Sequence, residues 1–212
     1  MENTTARPKV IGVLARLKSL GDPANVAGMA RFGVVAKKAY GVCTPALRKL
    51  AREIGRDQRL SLQLWATSIH DARHLAALVG EPARVTPAQM ERWARDFDSW
   101  DVVDGCCCHL FVYTPHAWRM ALAWSRREEE FIKRAGFSLM AYLAVRDKQA
   151  ADEKFLRLLP VIERASFDER HFVKKAVNWA LRQIGKRNAR LNCAAIASGK
   201  KIRAYDQPAA RW

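Results

Sequence analysis

The sequence predicts an all-α protein built from stacked helical hairpins, and three observations lead to this class. Ala, Leu, Arg and Glu dominate much of the chain, and these residues favour helices. Apolar residues recur at the spacing of an amphipathic helix, and no long alternating run of strand type occurs. Breaker sequences separate the helical stretches, at Gly21-Asp22-Pro23, Gly80-Glu81-Pro82, Thr86-Pro87, Thr114-Pro115 and Ser166-Phe167-Asp168.

The helices after about residue 57 are predicted to pair, an outer helix followed by an inner one. The pairs are spaced by roughly 30 to 40 residues, the range of helical hairpin repeats, and open near Asp57, Thr86, Pro115, Gln149 and Lys186. A hairpin buries only one side alone, so stacked neighbours complete the core. We therefore expect one α-solenoid domain over residues 1–212. N-terminal helices would cover about 8–55 and hairpins about 57–205, with a concave face formed by the second helices. A compact bundle is the alternative.

The charge balance favours a polyanionic partner. The chain has 37 Lys and Arg against 21 Asp and Glu, a formal net charge of +16, and a sequence pI near 10.2. Each Lys or Arg that meets a phosphate releases condensed counterions, so such an excess favours nucleic acid. A solubilising surface and ribosome association are the alternatives.

Composition also limits the cellular setting. Half of the residues are hydrophobic, which excludes a disordered chain. No apolar run is long enough to span a bilayer, and the polar start MENTTARPKV predicts no secretory signal. The cysteines are odd in number and three of them are adjacent, which is a poor disulfide framework. We expect a cytoplasmic protein without a membrane partner.

A late helix, predicted over about 169–185, carries the first candidate site. Its core stripe is predicted from Val173, Val177, Ala180, Leu181 and Ile184. Trp179 lies on the opposite face, with Lys175, Arg182 and Lys186 at helical spacing. An indole among cations suits a nucleic acid, because the ring meets sugars or bases while the cations hold phosphates. The alternative is a Trp covered by the alkyl stems of its basic neighbours.

A second candidate site lies on the helix predicted to begin at DFDSWDVVD. Asp98 or Ser99 is expected to be the N-cap, and Asp101 fits the first turn, where a carboxylate meets the positive helix end. Helix capping and the helix dipole explain these residues, whereas neither explains the next acid along the helix, Asp104.

Trp100 and Asp104 lie four residues apart on this helix, and no Lys or Arg lies among their helical neighbours. A carboxylate beside an indole on a basic protein is repelled by the phosphates that it approaches. Because this repulsion is unfavourable, the carboxylate is expected to have a function such as stabilising a cation. An ordinary salt bridge to another helix, for example to Arg134, explains the same residue equally well.

Arg134 is the charged residue at the edge of the long apolar stretch over 135–145. Glu130 stands four residues before it, in the orientation that favours a pair on a helix surface. A contact with a nucleic-acid phosphate is the more specific interpretation, but the sequence does not distinguish it from the pair with Glu130.

The three consecutive cysteines are interpreted as packing. Neighbouring residues on a helix point about 100° apart, so Cys106, Cys107 and Cys108 cannot converge on one metal. Cys106 and His109 could supply two ligands, but zinc needs three or four. A thiol nucleophile is disfavoured because His109 faces elsewhere than Cys108. No metal and no cofactor are expected.

Four segments together resemble the DNA alkylation repair glycosylases of the AlkD type, a family of HEAT-like repeat proteins. The segments are YGVCTPALRKLA, FDSWDVVD, FIKRAGFSLM and KKAVNWALRQIGKRN, and the resemblance covers nearly the whole chain in order. The cysteine cluster has no counterpart in the family pattern. The resemblance implies a right-handed α-α superhelix with a concave basic groove.

The resemblance also implies a function, the hydrolysis of the N-glycosidic bond of N3- or N7-alkylated purines in duplex DNA. It assigns catalytic roles to Asp104, Trp100 and Trp179, and DNA binding to Arg134, Lys175, Arg182 and Lys186. Both indoles would flank the sugar of the lesion. The expected partner is double-stranded DNA with alkylated bases, and we expect a monomer without an obligate protein partner. The rival functions are a non-catalytic nucleic-acid-binding module and a solenoid that binds an acidic protein.

Overall fold

The computed structural model describes residues 6–205 and 208–211. Over these residues the regular structure is entirely helical, with no strand, which confirms the all-α class. None of the helices described is long and apolar enough to cross a membrane. Half of the polar start on which the expectation about a secretory signal rests, residues 1–5, lies outside the described residues.

The chain divides into two compact units, Met1–Thr114 and Pro115–Trp212. Unit 1 contains the helices α1 Ala6–Ser19, α2 Pro23–Met29, α3 Thr44–Ile54, α4 Gln58–Ala66, α5 His70–Val79, α6 Pro87–Arg95 and α7 Trp100–His109. Unit 2 contains α8 Ala117–Trp124, α9 Glu130–Arg146, α10 Asp152–Leu156, α11 Leu159–Ala165, α12 His171–Gly185 and α13 Ala189–Ala204. Short 3-10 helices lie at Ala30–Phe32, Pro82–Arg84, Phe111–Tyr113 and Pro208–Arg211.

The helix starts agree with the predicted openings of the hairpins, and side-chain caps explain three of them. Asp57 accepts a hydrogen bond from the Leu60 N–H at the start of α4. Thr86 caps α6 in the same way, and Asn188 caps α13. Each cap satisfies a backbone donor that the first helical turn leaves without a partner.

Unit 1 has a core of aromatic and aliphatic side chains between its helices. The rings of Trp65 and Trp93 stack with centroids 4.0 Å apart, and α5 packs against α3, α4 and α7. The Trp65 indole donates to Asp96 Oδ2 at 2.8 Å, so this buried ring also holds the loop that precedes α7.

Unit 2 is centred on α9, which packs against α8 and α12. A Cβ atom at Gly136 would lie 2.4 Å from the Ser125 backbone nitrogen, so glycine permits the close approach of α8 to α9. The Trp118 indole donates to Asp147 Oδ2 at 2.9 Å. Unit 2 thus repeats the indole-to-aspartate contact of unit 1, at the end of its long inner helix.

Candidate active site and nucleic-acid interface

Helix α7 carries the predicted acidic site in unit 1. Its buried face consists of Val102, Val103, Cys106 and Cys107, whereas Trp100 and Asp104 are half-buried. Ser99 takes the N-cap position, as expected, but its side chain makes no capping hydrogen bond. The start of α7 is therefore held by other contacts.

Arg73 on α5 forms hydrogen bonds with the loop that precedes α7. Its guanidinium Nη1 donates to the Asp96 carbonyl oxygen at 3.0 Å and to Asp98 Oδ2 at 3.1 Å. Arg73 is buried and its guanidinium lies 5.1 Å from the Trp65 ring centroid. The loop has little freedom, because both its backbone and its carboxylates are bonded to α4 and α5.

Asp101 in the first turn of α7 faces two histidines of α5. Its Oδ2 atom lies 2.9 Å from His70 Nε2 and 3.3 Å from His74 Nε2. Burial opposes the charge on Asp101, but the two imidazoles lower the pKa of its carboxyl far below the ordinary value. Burial likewise opposes protonation of His70, yet Asp101 raises the pKa of that imidazole. Asp101 therefore does more than complement the helix dipole, the only role that the sequence suggested.

Trp100 lines a cavity of about 480 Å³ within unit 1. Its indole Nε1 donates to the Phe32 carbonyl oxygen at 2.8 Å. The loop around Gly41 also lines the cavity, and Asp71 holds this loop by accepting from the Tyr40 and Val42 N–H groups at 2.6 and 2.7 Å. The indole is thus fixed at one edge and open to the cavity.

Asp104 lies one turn after Trp100 on α7 and is half-buried rather than enclosed in the core. Trp100 and Asp104 share one side of α7, because residues four apart on a helix are neighbours. Their helix contains no Lys or Arg from Trp100 to His109. A half-buried carboxylate beside an indole is suited to meet a cation that arrives from outside.

The adjacent cysteines of α7 pack as expected. Cys106 and Cys107 are buried and Cys108 is half-buried, and none of the three forms a disulfide. Burial raises the pKa of the Cys106 thiol well above its ordinary value. Because a nucleophile or metal ligand must be the thiolate, this environment opposes both roles for Cys106.

Helix α12 carries the predicted cationic face in unit 2. The buried positions of the helix include Val173, Val177, Ala180 and Ile184, whereas Leu181 is only half-buried and does not belong to the core stripe in which we placed it. Leu181 instead lines a small cavity, because it lies at the edge of the stripe.

Trp179 is half-buried on α12, and Lys175, Arg182 and Lys186 are exposed around it. The indole meets the Tyr142 ring edge to face, with centroids 4.9 Å apart. The structure therefore brings these four residues of unit 2 onto one face, and Tyr142 limits the orientations of the indole.

Arg134 is placed inside unit 2, with 5% of its surface exposed. Its Nη1 atom donates to the Phe172 carbonyl oxygen at 2.7 Å, in the first turn of α12. The guanidinium carries five N–H donors, so it contributes to the α9–α12 contact whatever else it binds. Its phosphate contact stays a prediction.

Sequence reasoning missed His70 and His74, the partners of Asp101. The segment HDARH places two imidazoles one helical turn apart, which is a spacing that can direct both at one point. That signal was available in the sequence. Their shared partner Asp101, 27 residues after His74, could only be found from the packing of α5 on α7.

Comparison with solved structures assigns the fold to the HEAT-like repeat class. A structure described as "a new family of proteins related to the HEAT-like repeat DNA glycosylases with affinity for branched DNA structures" matches with a TM-score of 0.79. The alignment has 22% sequence identity and covers 91% of this chain and 82% of that chain.

The family model for the DNA alkylation repair enzyme family matches residues 13–210. The chain therefore belongs to the DNA alkylation repair enzyme family, as its four motifs predicted. A comparison with curated proteins finds no match.

Proposed function

We propose that this protein is a monofunctional DNA glycosylase that releases N3- and N7-alkylated purines from duplex DNA. The observation that carries the proposal is the half-buried pair Trp100 and Asp104, one turn apart on a helix without Lys or Arg. Membership of the DNA alkylation repair enzyme family supports the choice of substrate class.

The chemistry of the lesion explains why so few groups suffice. An N3- or N7-alkylated purine already carries a positive charge, so it leaves without being protonated and needs no general acid. The deoxyribose develops oxocarbenium character as the glycosidic bond breaks. The ionised Asp104 stabilises this cation and orients the attacking water, which is electrostatic preorganisation in a partly dehydrated site.

Trp100 restricts the position of the sugar beside Asp104, since its indole is held by the Phe32 carbonyl. In unit 2 the exposed cations of α12 bind backbone phosphates, and Trp179 contacts a sugar or base. Because phosphate contacts dominate, binding is expected to depend steeply on salt and weakly on sequence.

The decisive experiment is base release from defined DNA. The purified protein is incubated with duplexes that contain N7-methylguanine, N3-methyladenine or uracil, and the free bases are separated by chromatography. We expect release of the two cationic purines and none of the neutral uracil. Efficient uracil release would contradict the mechanism, because a neutral base leaves poorly without an acid.

A second candidate function is DNA binding without catalysis, directed to branched DNA. The similar structure is described as having affinity for such DNA, and the net charge of +16 supports either function. This candidate predicts tight gel shifts with four-way junctions and no released base from any methylated substrate. The base-release assay and the gel shift, run on the same protein preparation, distinguish the two functions.

A further inference from the structure

We propose that His70, His74 and Asp101 form a binding site for a divalent transition metal, with Zn²⁺ as the preferred ion. One ligand atom from each residue lies within 4.8 Å of the others. The two imidazoles come from one face of α5 and the carboxylate from the first turn of α7. The trio lines the same cavity as Trp100, but the proposal uses none of the residues to which the glycosylase chemistry is assigned, so it can be tested separately.

The two distances from Asp101 to the imidazoles are close to those around a tetrahedral ion. Zinc binds imidazole nitrogen at about 2.0–2.1 Å and carboxylate oxygen at about 2.0–2.2 Å, so neighbouring ligands lie about 3.3–3.5 Å apart. Asp101 Oδ2 is 3.3 Å from His74 Nε2 and 2.9 Å from His70 Nε2. The third separation, between the two imidazole nitrogens, is within 4.8 Å, so the two rings would have to approach each other to about 3.3–3.5 Å to share the ion.

The buried state of His70 supports a ligand role over a simple hydrogen bond. Its side chain is 10% exposed, and its Nε2 atom has no aligned hydrogen-bond partner although Asp101 Oδ2 is 2.9 Å away. Two ligands of one metal both direct their donor atoms at the ion. These atoms can therefore lie close together without the alignment of a hydrogen bond. A buried polar nitrogen without a hydrogen bond otherwise costs stability.

A glycine in α7 leaves room for the second imidazole. A Cβ atom at Gly105 would lie 2.9 Å from His74 Nδ1 and 3.2 Å from its Cε1. Glycine inside a helix is less favourable than alanine by about 1 kcal/mol. The chain thus keeps a weak helix former at a position where a larger residue would displace the His74 ring.

The donor set and its surroundings select the class of ion. Two imidazoles and one carboxylate suit zinc, which often keeps a fourth position open for water. His70, His74 and Asp101 all line the 480 Å³ cavity, so the open position is accessible from it. Asp71 lines the same cavity but bonds two backbone N–H groups, so it holds the wall and not the ion.

The test measures metal binding by the full chain. The apo protein is dialysed against Zn²⁺ and the bound metal is counted, and Co²⁺ is added separately as a spectroscopic probe. We expect one tightly bound Zn²⁺ per chain and a visible Co²⁺ spectrum of a tetrahedral site. His74→Ala and Asp101→Asn should each weaken binding by more than the 10–100-fold typical of an outer-shell change. His116→Asn, in unit 2, should leave it unchanged.

Gly105→Ala gives a sharper variant because it removes no ligand. The added methyl should displace the His74 ring and weaken Zn²⁺ binding at least tenfold, while circular dichroism shows a folded protein. Gly12→Ala is the matched control, since a Cβ there meets nothing within 4 Å. A purely structural role for the trio would leave both variants with the same metal content as the wild type.

Two results would overturn the proposal. One is a wild-type protein that binds no more Zn²⁺ than the double variant His70→Ala/His74→Ala, with both folded. The other is a sulfur-to-cobalt charge-transfer band that disappears in Cys43→Ser, because the exposed Cys43 thiol lines the same cavity. Loss of base release plays no part in this test, so failure of the glycosylase proposal would leave it standing.

Discussion

Helices α7 and α12 are both predicted to act on DNA, yet their compositions are opposite. Helix α7 carries Asp101 and Asp104 and no Lys or Arg, whereas α12 carries basic residues and no acid over its length. Each places an indole, Trp100 or Trp179, in a half-buried position. The same aromatic residue therefore stands in an acidic setting in one unit and in a cationic setting in the other.

The opposite charges of the two helices fit two different roles under the proposed function, DNA binding for one helix and the reaction for the other. Cations attract phosphates and raise affinity for any DNA. A carboxylate opposes that attraction, so it is useful only where positive charge develops during a reaction. We infer that α7 serves the reacting sugar and that α12 serves the backbone.

The largest expected effect comes from Asp104→Asn, which keeps the size of the side chain and removes its charge. Release of N7-methylguanine should fall about 10²–10³-fold, because the oxocarbenium ion loses its counter-charge. DNA affinity should be retained or slightly increased. Single-turnover base release and fluorescence anisotropy measure the two quantities.

The matched control for this variant is Glu153→Gln, which makes the same change in charge at an exposed residue of α10. It should release base at the wild-type rate. An Asp104→Asn protein as active as wild type would exclude Asp104 from the reaction and remove the distinction between the two helices.

The second effect is the loss of phosphate contacts from α12. The triple variant Lys175→Ala/Arg182→Ala/Lys186→Ala should lower the slope of log affinity against log salt by about three. Affinity should fall roughly 10²–10³-fold at low salt. Salt titrations of duplex binding measure the slope.

Removing three exposed cations elsewhere in unit 2 tests whether the face matters or only the net charge. Arg119, Arg164 and Lys200 are exposed on other helices of that unit, and changing them to Ala should alter the slope less. Equal slopes for both triple variants would contradict a specific role for the α12 face.

Trp179→Ala should have a smaller effect than the triple variant, a loss of about 1–3 kcal/mol of DNA-binding free energy, the usual contribution of one aromatic stacking contact. Phe167→Ala is the comparison, since Phe167 is also exposed in unit 2 but contacts Tyr205. Binding isotherms at fixed salt should separate them. Identical affinities for both variants would show that the Trp179 indole is only covered by its basic neighbours.

The smallest effect concerns the acid that positions α12. Asp168 binds Lys133 of α9 at 2.9 Å and Arg170 at 2.6 Å. Burial opposes its charge, but these two cations lower the pKa of its carboxyl to about 2. Asp168→Asn should therefore lower the unfolding free energy by about 1–2 kcal/mol near neutral pH.

The sign of the pH dependence follows from the lowered pKa. The stabilisation by Asp168 is fully present above the ordinary pKa of 3.8 and is lost as the pH falls through about 2. Denaturant titrations of wild type and variant should thus converge between pH 4 and pH 2. A constant difference over that range would show that the charge of Asp168 contributes nothing.

Local signals made most of the fold predictable. Asp57 and Thr86 lie at predicted hairpin starts and Asn188 lies two residues after one, because caps and helical periods act within a few residues. The faces of α12 were predictable for the same reason, apart from Leu181. The burial of Arg134 was not predictable from the sequence. It depends on the packing of α12 against α9, where Arg134 bonds Phe172, 38 residues further along the chain.

The helical class, the basic charge and the pairs Trp100–Asp104 and Lys175–Trp179 can be read from local sequence. Each of these follows from residues within one or two turns of a helix. The contacts of Asp101 with His70 and His74, and the space that Gly105 leaves for the His74 ring, come instead from the packing of α5 on α7. Those contacts join helices far apart in the chain, and burial and packing, which no local pattern encodes, set their distances.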